Sequence, residues 1–187
     1  SSTTITSALK FDATDKLGLQ WQWQANHGKD WYSLTERPSF LRLAAGPGNA
    51  GNLFRYPRFL GQKFPAESFA VETSVDVAHS APGSIAGLAV IGGDQSHFTG
   101  LRRTAEGADY VLGTSTGLHS IGPCPAMKAD LAVRVEPDGT FRFIAPESQV
   151  FIAAQGGWIG AKIGLFHVQE QPASRSHADF GPFVFSS

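Results

Sequence analysis

Apolar and polar residues alternate with a period of two along much of the chain, which is the pattern of half-buried β-strands. In FAVETSVDV, residues 69–77, the phenylalanine, the valines and Thr73 share one face, and the acidic and serine side chains share the other. The stretches 84–93 and 161–169 alternate less and are predicted to be central strands. Further strands are predicted at 4–11, 17–25, 39–44, 96–103, 108–113, 149–154 and 178–185.

The clearest local signal is LAVRVEPDGTFRFIA, residues 131–145. Two alternating runs flank Pro137-Asp138-Gly139, and these residue types are typical of hairpin turns. No long segment shows the 3.6-residue period of an amphipathic helix. Many short strands separated by turn signals predict an all-β fold, an antiparallel two-sheet β-sandwich. No repeat or linker divides the chain, so 1–187 is predicted to be one domain.

The segment LGLQWQWQANHGKDWYSL, residues 17–34, concentrates three tryptophans and a tyrosine. Its alternation puts Trp21 and Trp23 on one face of a strand and the glutamines on the other. We predict that Trp21 packs between the sheets, while the polar turn that follows reaches the surface. Trp31 and Tyr32 are adjacent and point to opposite faces, so at least one of them is expected near solvent.

Composition excludes several classes of partner. The formal net charge is −1 and charged residues make up 17% of the chain, with no basic run, so nucleic acid and anionic membranes are poor partners. No apolar window is long enough for a membrane span, and no signal peptide is expected at the first residues. Cys124 is the single cysteine, which excludes an internal disulfide and a multi-cysteine zinc site. The compartment stays open, with an extracellular or periplasmic location favoured over the bacterial cytoplasm.

The motifs of common catalytic sites are absent from the sequence. No carboxylates stand two residues apart on one strand as in sandwich glycosidases, and neither a Gly-x-Ser-x-Gly nor a His-Glu-x-x-His motif occurs. The chain is therefore predicted not to be an enzyme by itself. Sandwich domains often bind calcium through loop carboxylates, and Asp12 and Asp179 would meet if the terminal strands pair. A structural calcium ion is predicted there, with two solvated loop acids as the alternative.

Without a catalytic cluster, the aromatic residues are the best functional clue. The apolar face of a sugar ring stacks on Trp and Tyr, while amides and arginines bind its hydroxyl groups. The sequence holds both kinds of side chain close together around the polar turn. The candidate sugar-binding residues are Trp23, Asn26, His27, Trp31, Tyr32, Arg37 and Trp158.

The stretch LGLQWQWQANHGKDWYSLTERPSFLRL, residues 17–43, resembles the opening of the C-terminal β-sandwich module of family 43 glycoside hydrolases, the β-xylosidase and arabinofuranosidase group. Similar matches continue through LGQKFPAESFAVETSVDV and AGLAVIGGDQSHFTGLRR to GGWIGAKIGLF and ADFGPFVF. The resemblance therefore covers most of the chain. Two features depart from the family pattern: Ala25 is inserted before the Asn-His pair, and Gly181-Pro182 stands in the closing strand.

The resemblance implies a concanavalin A-like jelly roll, similar to xylan-binding modules of carbohydrate-binding family 91. In that family the catalytic carboxylates belong to a separate propeller domain. A non-catalytic module that binds xylan or xylo-oligosaccharides, attached to such a propeller, is therefore implied. The alternative is a structural companion domain that packs on the propeller and shapes its active-site rim without binding sugar. The resemblance also matches Trp158 to an aromatic residue that points towards that rim, with a packing role for Trp158 as the alternative.

An independent enzyme of the laminarinase or lyase type is a third hypothesis for a sandwich of this kind. The sequence argues against it, because the carboxylate cluster that such an enzyme needs is missing.

Overall fold

The computed structural model describes residues 6–9, 20–25, 28, 30–114, 116–144, 150–153, 161–173 and 175–186. These residues form seventeen β-strands and one 3₁₀ helix, Ala50–Arg55, which is too short to cross a membrane. In chain order the strands are β1 Thr6–Leu9, β2 Gln22–Trp23, β3 Tyr32–Ser33, β4 Leu41–Ala44, β5 Gly46–Pro47, β6 Leu60–Lys63, β7 Phe69–Asp76, β8 Ile85–Gly92, β9 Gln95–Arg103, β10 Ala108–Thr114, β11 Gly117–Pro123, β12 Lys128–Val135, β13 Phe141–Ile144, β14 Val150–Ala153, β15 Lys162–Gln169, β16 His177–Phe180 and β17 Phe183–Ser186.

The strands form two sheets. The nine-stranded sheet has the order β14-β13-β12-β7-β16-β4-β3, and β17 pairs with both β7 and β1. The eight-stranded sheet has the order β11-β10-β9-β8-β15-β6-β2. Every described pair is antiparallel except β5 with β15. The predicted antiparallel two-sheet β-sandwich is therefore confirmed.

The two clearest sequence patterns behave as predicted. In β7 the phenylalanine, the valines and Thr73 are buried, and the residues between them are half-buried or exposed. β12 and β13 form the predicted hairpin, in which Gly139 has a φ of 84°, a value that favours glycine. The Gly139 amide donates to the carbonyl of Glu136 at 3.0 Å and closes the turn.

The main core lies between the sheets. Trp21 is 8% exposed and meets Phe183 edge-on, with ring centroids 5.0 Å apart, so its predicted core position is confirmed. A second apolar cluster lies on the opposite face of the eight-stranded sheet, where Leu53 and Tyr56 cover the outer side of β8 and β15. This second cluster explains why β8 is buried at nearly every position and alternates so little.

A bulge at Gly181-Pro182 joins β16 to β17. Asp179 pairs with Asp76 of β7, whereas Val184 pairs with Glu72, so five steps along one strand match four along the other. Proline has no amide hydrogen for the sheet ladder, which suits it to this position. The departure noted in the closing strand thus changes its pairing: β16 lies beside β4, and β17 lies beside β1.

Candidate functional site

An aromatic corner, defined as Trp23, Trp31 and Tyr32, closes one edge of the sandwich. Trp23 lies on β2, at the end of the eight-stranded sheet, and pairs with Leu60. Tyr32 lies on β3, at the end of the nine-stranded sheet, and pairs with Leu43. The Trp23 and Tyr32 ring centroids are 5.7 Å apart, so the corner joins the edges of the two sheets.

The rings of the aromatic corner cross one another. Trp23 and Trp31 meet at 77° with centroids 5.3 Å apart, and Trp23 and Tyr32 are tilted by 43°. The guanidinium of Arg58 lies 5.1 Å from the centroid of the Trp31 ring, which is a cation–π distance. All three aromatic side chains are half-buried. The corner therefore does not offer a row of parallel ring faces to a sugar chain.

A cleft of about 690 Å³ adjoins the aromatic corner, and Tyr32 is the corner residue that lines it. Its walls come from four separate parts of the chain and are rich in charged and hydroxyl side chains. We call it the corner cleft, and its lining residues are Asp30, Tyr32, Ser33, Glu36, Arg42, Ala44, Ala45, Arg58, Ala173, Arg175, Ser176 and His177.

A second cleft, of about 680 Å³, lies on the outer face of the eight-stranded sheet. Its floor includes Ile85, Phe98 and Val168, and the Phe98 side chain is 2% exposed. The cleft contains none of the predicted sugar-binding residues that the structure describes. Because its one aromatic ring is buried, it offers little surface for stacking on a sugar.

A network of charges lies against one wall of the corner cleft. Asp179 is 3% exposed and accepts from Arg42 Nε at 2.8 Å and from Arg37 Nη1 at 3.3 Å. The same Arg37 nitrogen donates to Asp76 at 2.9 Å. Burial acts to raise the pKa of Asp179, but the hydrogen bonds and charges of Arg42 and Arg37 outweigh it and hold the pKa below its ordinary value.

Arg37 stacks on Phe40, with 3.8 Å between its guanidinium carbon and the ring centroid. The ion pairs of Arg37 with Asp76 on β7 and Asp179 on β16 fasten the 34–40 segment to the nine-stranded sheet. Arg37 is a predicted sugar-binding residue, and it does not line the corner cleft. Its described contacts are structural.

The predicted calcium ion stays a prediction. Asp12 lies outside the described residues, and both oxygens of Asp179 already accept hydrogen bonds from arginines. A cation at Asp179 would have to displace these bonds or share the carboxylate with two positive charges. Within the described ranges, no group of three or more His, Cys, Asp or Glu side chains is arranged to hold a metal ion.

The structure brings together three of the predicted sugar-binding residues, Trp23, Trp31 and Tyr32. Asn26, His27 and Trp158 lie outside the described residues. Sequence reasoning missed Arg58, Arg175 and His177, which line the corner cleft from segments distant in the chain. No local pattern marks Arg58. Arg175 has a φ of 64°, which is unusual for a residue other than glycine but leaves no trace in the sequence.

The two-sheet architecture with its closed corner is that of a concanavalin A-like β-sandwich. A family model described as the beta-xylosidase C-terminal concanavalin A-like domain matches residues 9–122, more than half of the chain. The chain belongs to this family, and the resemblance noted in the sequence is confirmed.

Known relatives agree with this assignment. The chain is 27% identical to a beta-xylosidase of Formosa agariphila, in a match that covers 82% of the chain and 31% of that protein. It superposes on the Bacteroides ovatus xyloglucan PUL protein GH43B with a TM-score of 0.74 and 23% identity, covering 95% of the chain and 38% of that structure. The GH43 protein BlXynB of Bacillus licheniformis gives a TM-score of 0.72 and 20% identity, covering 94% and 38%. The structural likenesses show the shared fold, and the chain spans between 31% and 38% of the length of these relatives.

Proposed function

We propose that the chain is a non-catalytic accessory domain of a family 43 glycoside hydrolase and that it binds xylan-type polysaccharide at the corner cleft. Family membership supports the attachment to a catalytic propeller, and the beta-xylosidase relative supports the substrate class. The sequence lacks the paired carboxylates of a sandwich glycosidase, so purified protein should release no sugar from aryl xylosides or arabinosides.

The observation that carries the proposal is the corner cleft itself. It combines one aromatic ring, Tyr32, with carboxylates and guanidinium groups that hydrogen-bond hydroxyls. Sugar recognition needs this combination, because a pyranose ring has an apolar face and a rim of hydroxyl groups. A single aromatic contact contributes on the order of 1 kcal/mol. We therefore expect weak binding, with a Kd of roughly micromolar to millimolar.

Affinity electrophoresis on xylan and calorimetry with xylo-oligosaccharides test the proposal. Tyr32→Ala should reduce retention while the protein stays folded, since Tyr32 is half-buried at an edge. Tyr110→Ala is the matched control, because Tyr110 is also half-buried but lies on β10, outside the cleft. Melting curves on both variants separate lost binding from lost folding. If xylan does not retard the parent protein at all, the sugar-binding proposal is wrong.

A companion role is the second candidate function. The steep angles within the aromatic corner favour it, because crossed rings suit packing better than stacking on a sugar chain. In this role the domain stabilises the propeller and shapes its active-site rim. Size-exclusion chromatography with the separately expressed propeller of the Formosa agariphila relative tests it. A stable complex from a protein that shows no retention on xylan would favour the companion role.

A further inference from the structure

We infer that the corner cleft recognises xylan-type chains that carry carboxylate groups, as uronic acid side chains do, and that Arg58 and Arg175 bind the carboxylate. The inference rests on the proposed sugar-binding function and names the class of sugar. It follows from how the charges of the cleft are paired.

Arg42 is paired with a carboxylate within the protein. It reaches Asp179 through Nε at 2.8 Å and through Nη2 at 3.1 Å, and Arg37 and Asp76 complete the same group. This network holds two positive and two negative charges, so it is neutral as a unit. The positive charge of Arg42 is therefore already compensated by a carboxylate of the protein.

Arg58 and Arg175 differ from Arg42 in this respect. Among the described residues, no carboxylate oxygen lies within 4.0 Å of a guanidinium nitrogen of either arginine, the distance limit for an ion pair. Arg58 donates to the carbonyl of Ala45 at 3.4 Å, a long hydrogen bond, and lies over the Trp31 ring. A guanidinium has five N–H donors in a fixed fork, so most of the Arg58 donors are available to a ligand.

Arg58 is held in position. The Arg58 side chain packs against Gly46, where any larger residue would collide with it. Arg175 is exposed and lines the same cleft. A guanidinium group held in place, as that of Arg58 is, can bind a planar carboxylate through two parallel hydrogen bonds.

The remaining ionisable groups of the cleft suit a sugar that bears both hydroxyls and an acid. Asp30 and Glu36 are exposed acceptors for hydroxyl groups, and they would repel a carboxylate placed beside them. Burial and then the charge of Arg42 lower the pKa of His177, so this side chain is neutral at pH 7. Within the cleft, a ligand carboxylate is therefore expected at Arg58 and Arg175.

The experiment compares two ligands of similar length by calorimetry at pH 7 and low ionic strength. One is an unsubstituted xylo-oligosaccharide, and the other is the same backbone with one glucuronic acid side chain. The parent protein should bind the acidic ligand roughly tenfold more tightly, as expected for one charge-assisted pair. The ratio of the two affinities should fall towards one at about 0.5 M salt.

The double variant Arg58→Gln with Arg175→Gln should bring the affinity ratio to about one even at low salt. Arg55→Gln is the matched control, because Arg55 is an exposed arginine without a carboxylate partner in the described structure and lies outside the cleft. It should keep the tenfold ratio. Equal affinity of the parent for both ligands, or a ratio that the double variant leaves unchanged, would overturn the inference alone. Failure of the parent to bind either ligand would overturn the proposed function as well.

Discussion

Lowering the pH should destabilise the fold, because His167 is buried between the two sheets in its neutral form. Its side chain is 1% exposed. Nδ1 lies 2.9 Å from the carbonyl oxygen of Leu43, which can only accept, so Nδ1 carries the proton and Nε2 carries none. Nε2 has no hydrogen-bond partner among the described residues, so a proton added there would be buried without an acceptor. Burial accordingly lowers the pKa of His167 from 6.5 to about 4.

The sign and size of the effect follow from these two pKa values. Between them the unfolded chain binds a proton that the folded protein does not, so the free energy of unfolding decreases as the pH falls. The loss from His167 is about 2 kcal/mol at pH 5 and about 3 kcal/mol at pH 4. Burial also lowers the pKa of His97 and His177, which adds to the same slope. Asp179 contributes only below its ordinary pKa of 3.8, outside this window.

Urea titrations at about pH 7.5 and about pH 5, followed by tryptophan fluorescence, measure the free energy of unfolding at each pH. His167→Gln keeps a side-chain donor and removes the titrating group, so its stability should fall about 2 kcal/mol less than that of the parent between the two pH values. His119→Gln is the control, because His119 is exposed on β11, and it should retain the parental slope. A parent that is equally stable at both pH values, or a His167→Gln variant with the parental slope, would refute the reasoning.

Three further predictions concern stability. Trp21→Ala should lower the free energy of unfolding, measured by urea titration, by about 3–5 kcal/mol, because the ring is buried against Phe183. Trp31→Ala should lower it less, because Trp31 is half-buried, and equal losses would contradict the assigned positions. Asp179→Asn should lower the free energy of unfolding by about 3 kcal/mol, because the substitution leaves two guanidinium groups facing a neutral amide. An unchanged melting temperature would mean that the network does not contribute to stability. Gly113→Ala pushes a methyl group into the Phe98 ring and should lower the melting temperature by several degrees, whereas Gly107→Ala meets open space and should leave it nearly unchanged.

The sequence predicts a strand well where the strand has one buried and one solvated face. β7 and β12 meet this condition, and their alternation is visible at once. β6 does not, because the second apolar cluster covers the outer face of its sheet, so Leu60, Gly61 and Gln62 are all buried. β11 lacks the pattern for the opposite reason: it is a largely exposed edge strand, so it has no buried apolar face that would produce an alternation. Neither strand is predicted from the alternation.

The same contrast applies to the candidate site. Its aromatic members are close in sequence, so the segment 17–34 alone indicates them. Arg58 precedes β6 of the eight-stranded sheet, and Arg175 precedes β16 of the nine-stranded sheet. They line the same cleft only because the two sheets meet at this edge. Register and loop direction are properties of the whole chain, and a local pattern cannot encode them.

The buried carboxylate of Asp179 is neutralised by arginines of the same domain. A carboxylate removed from water needs a positive partner, and the pairing of β16 with β4 puts Arg42 directly opposite Asp179. Arg37, from the loop after β3, pairs with Asp76 and Asp179, so the network of two arginines and two aspartates is neutral. The described structure gives Arg58 and Arg175 no such partner, although they line a concave surface next to an aromatic ring. The carboxylate of the proposed ligand would supply the partner that the described structure does not give these two arginines.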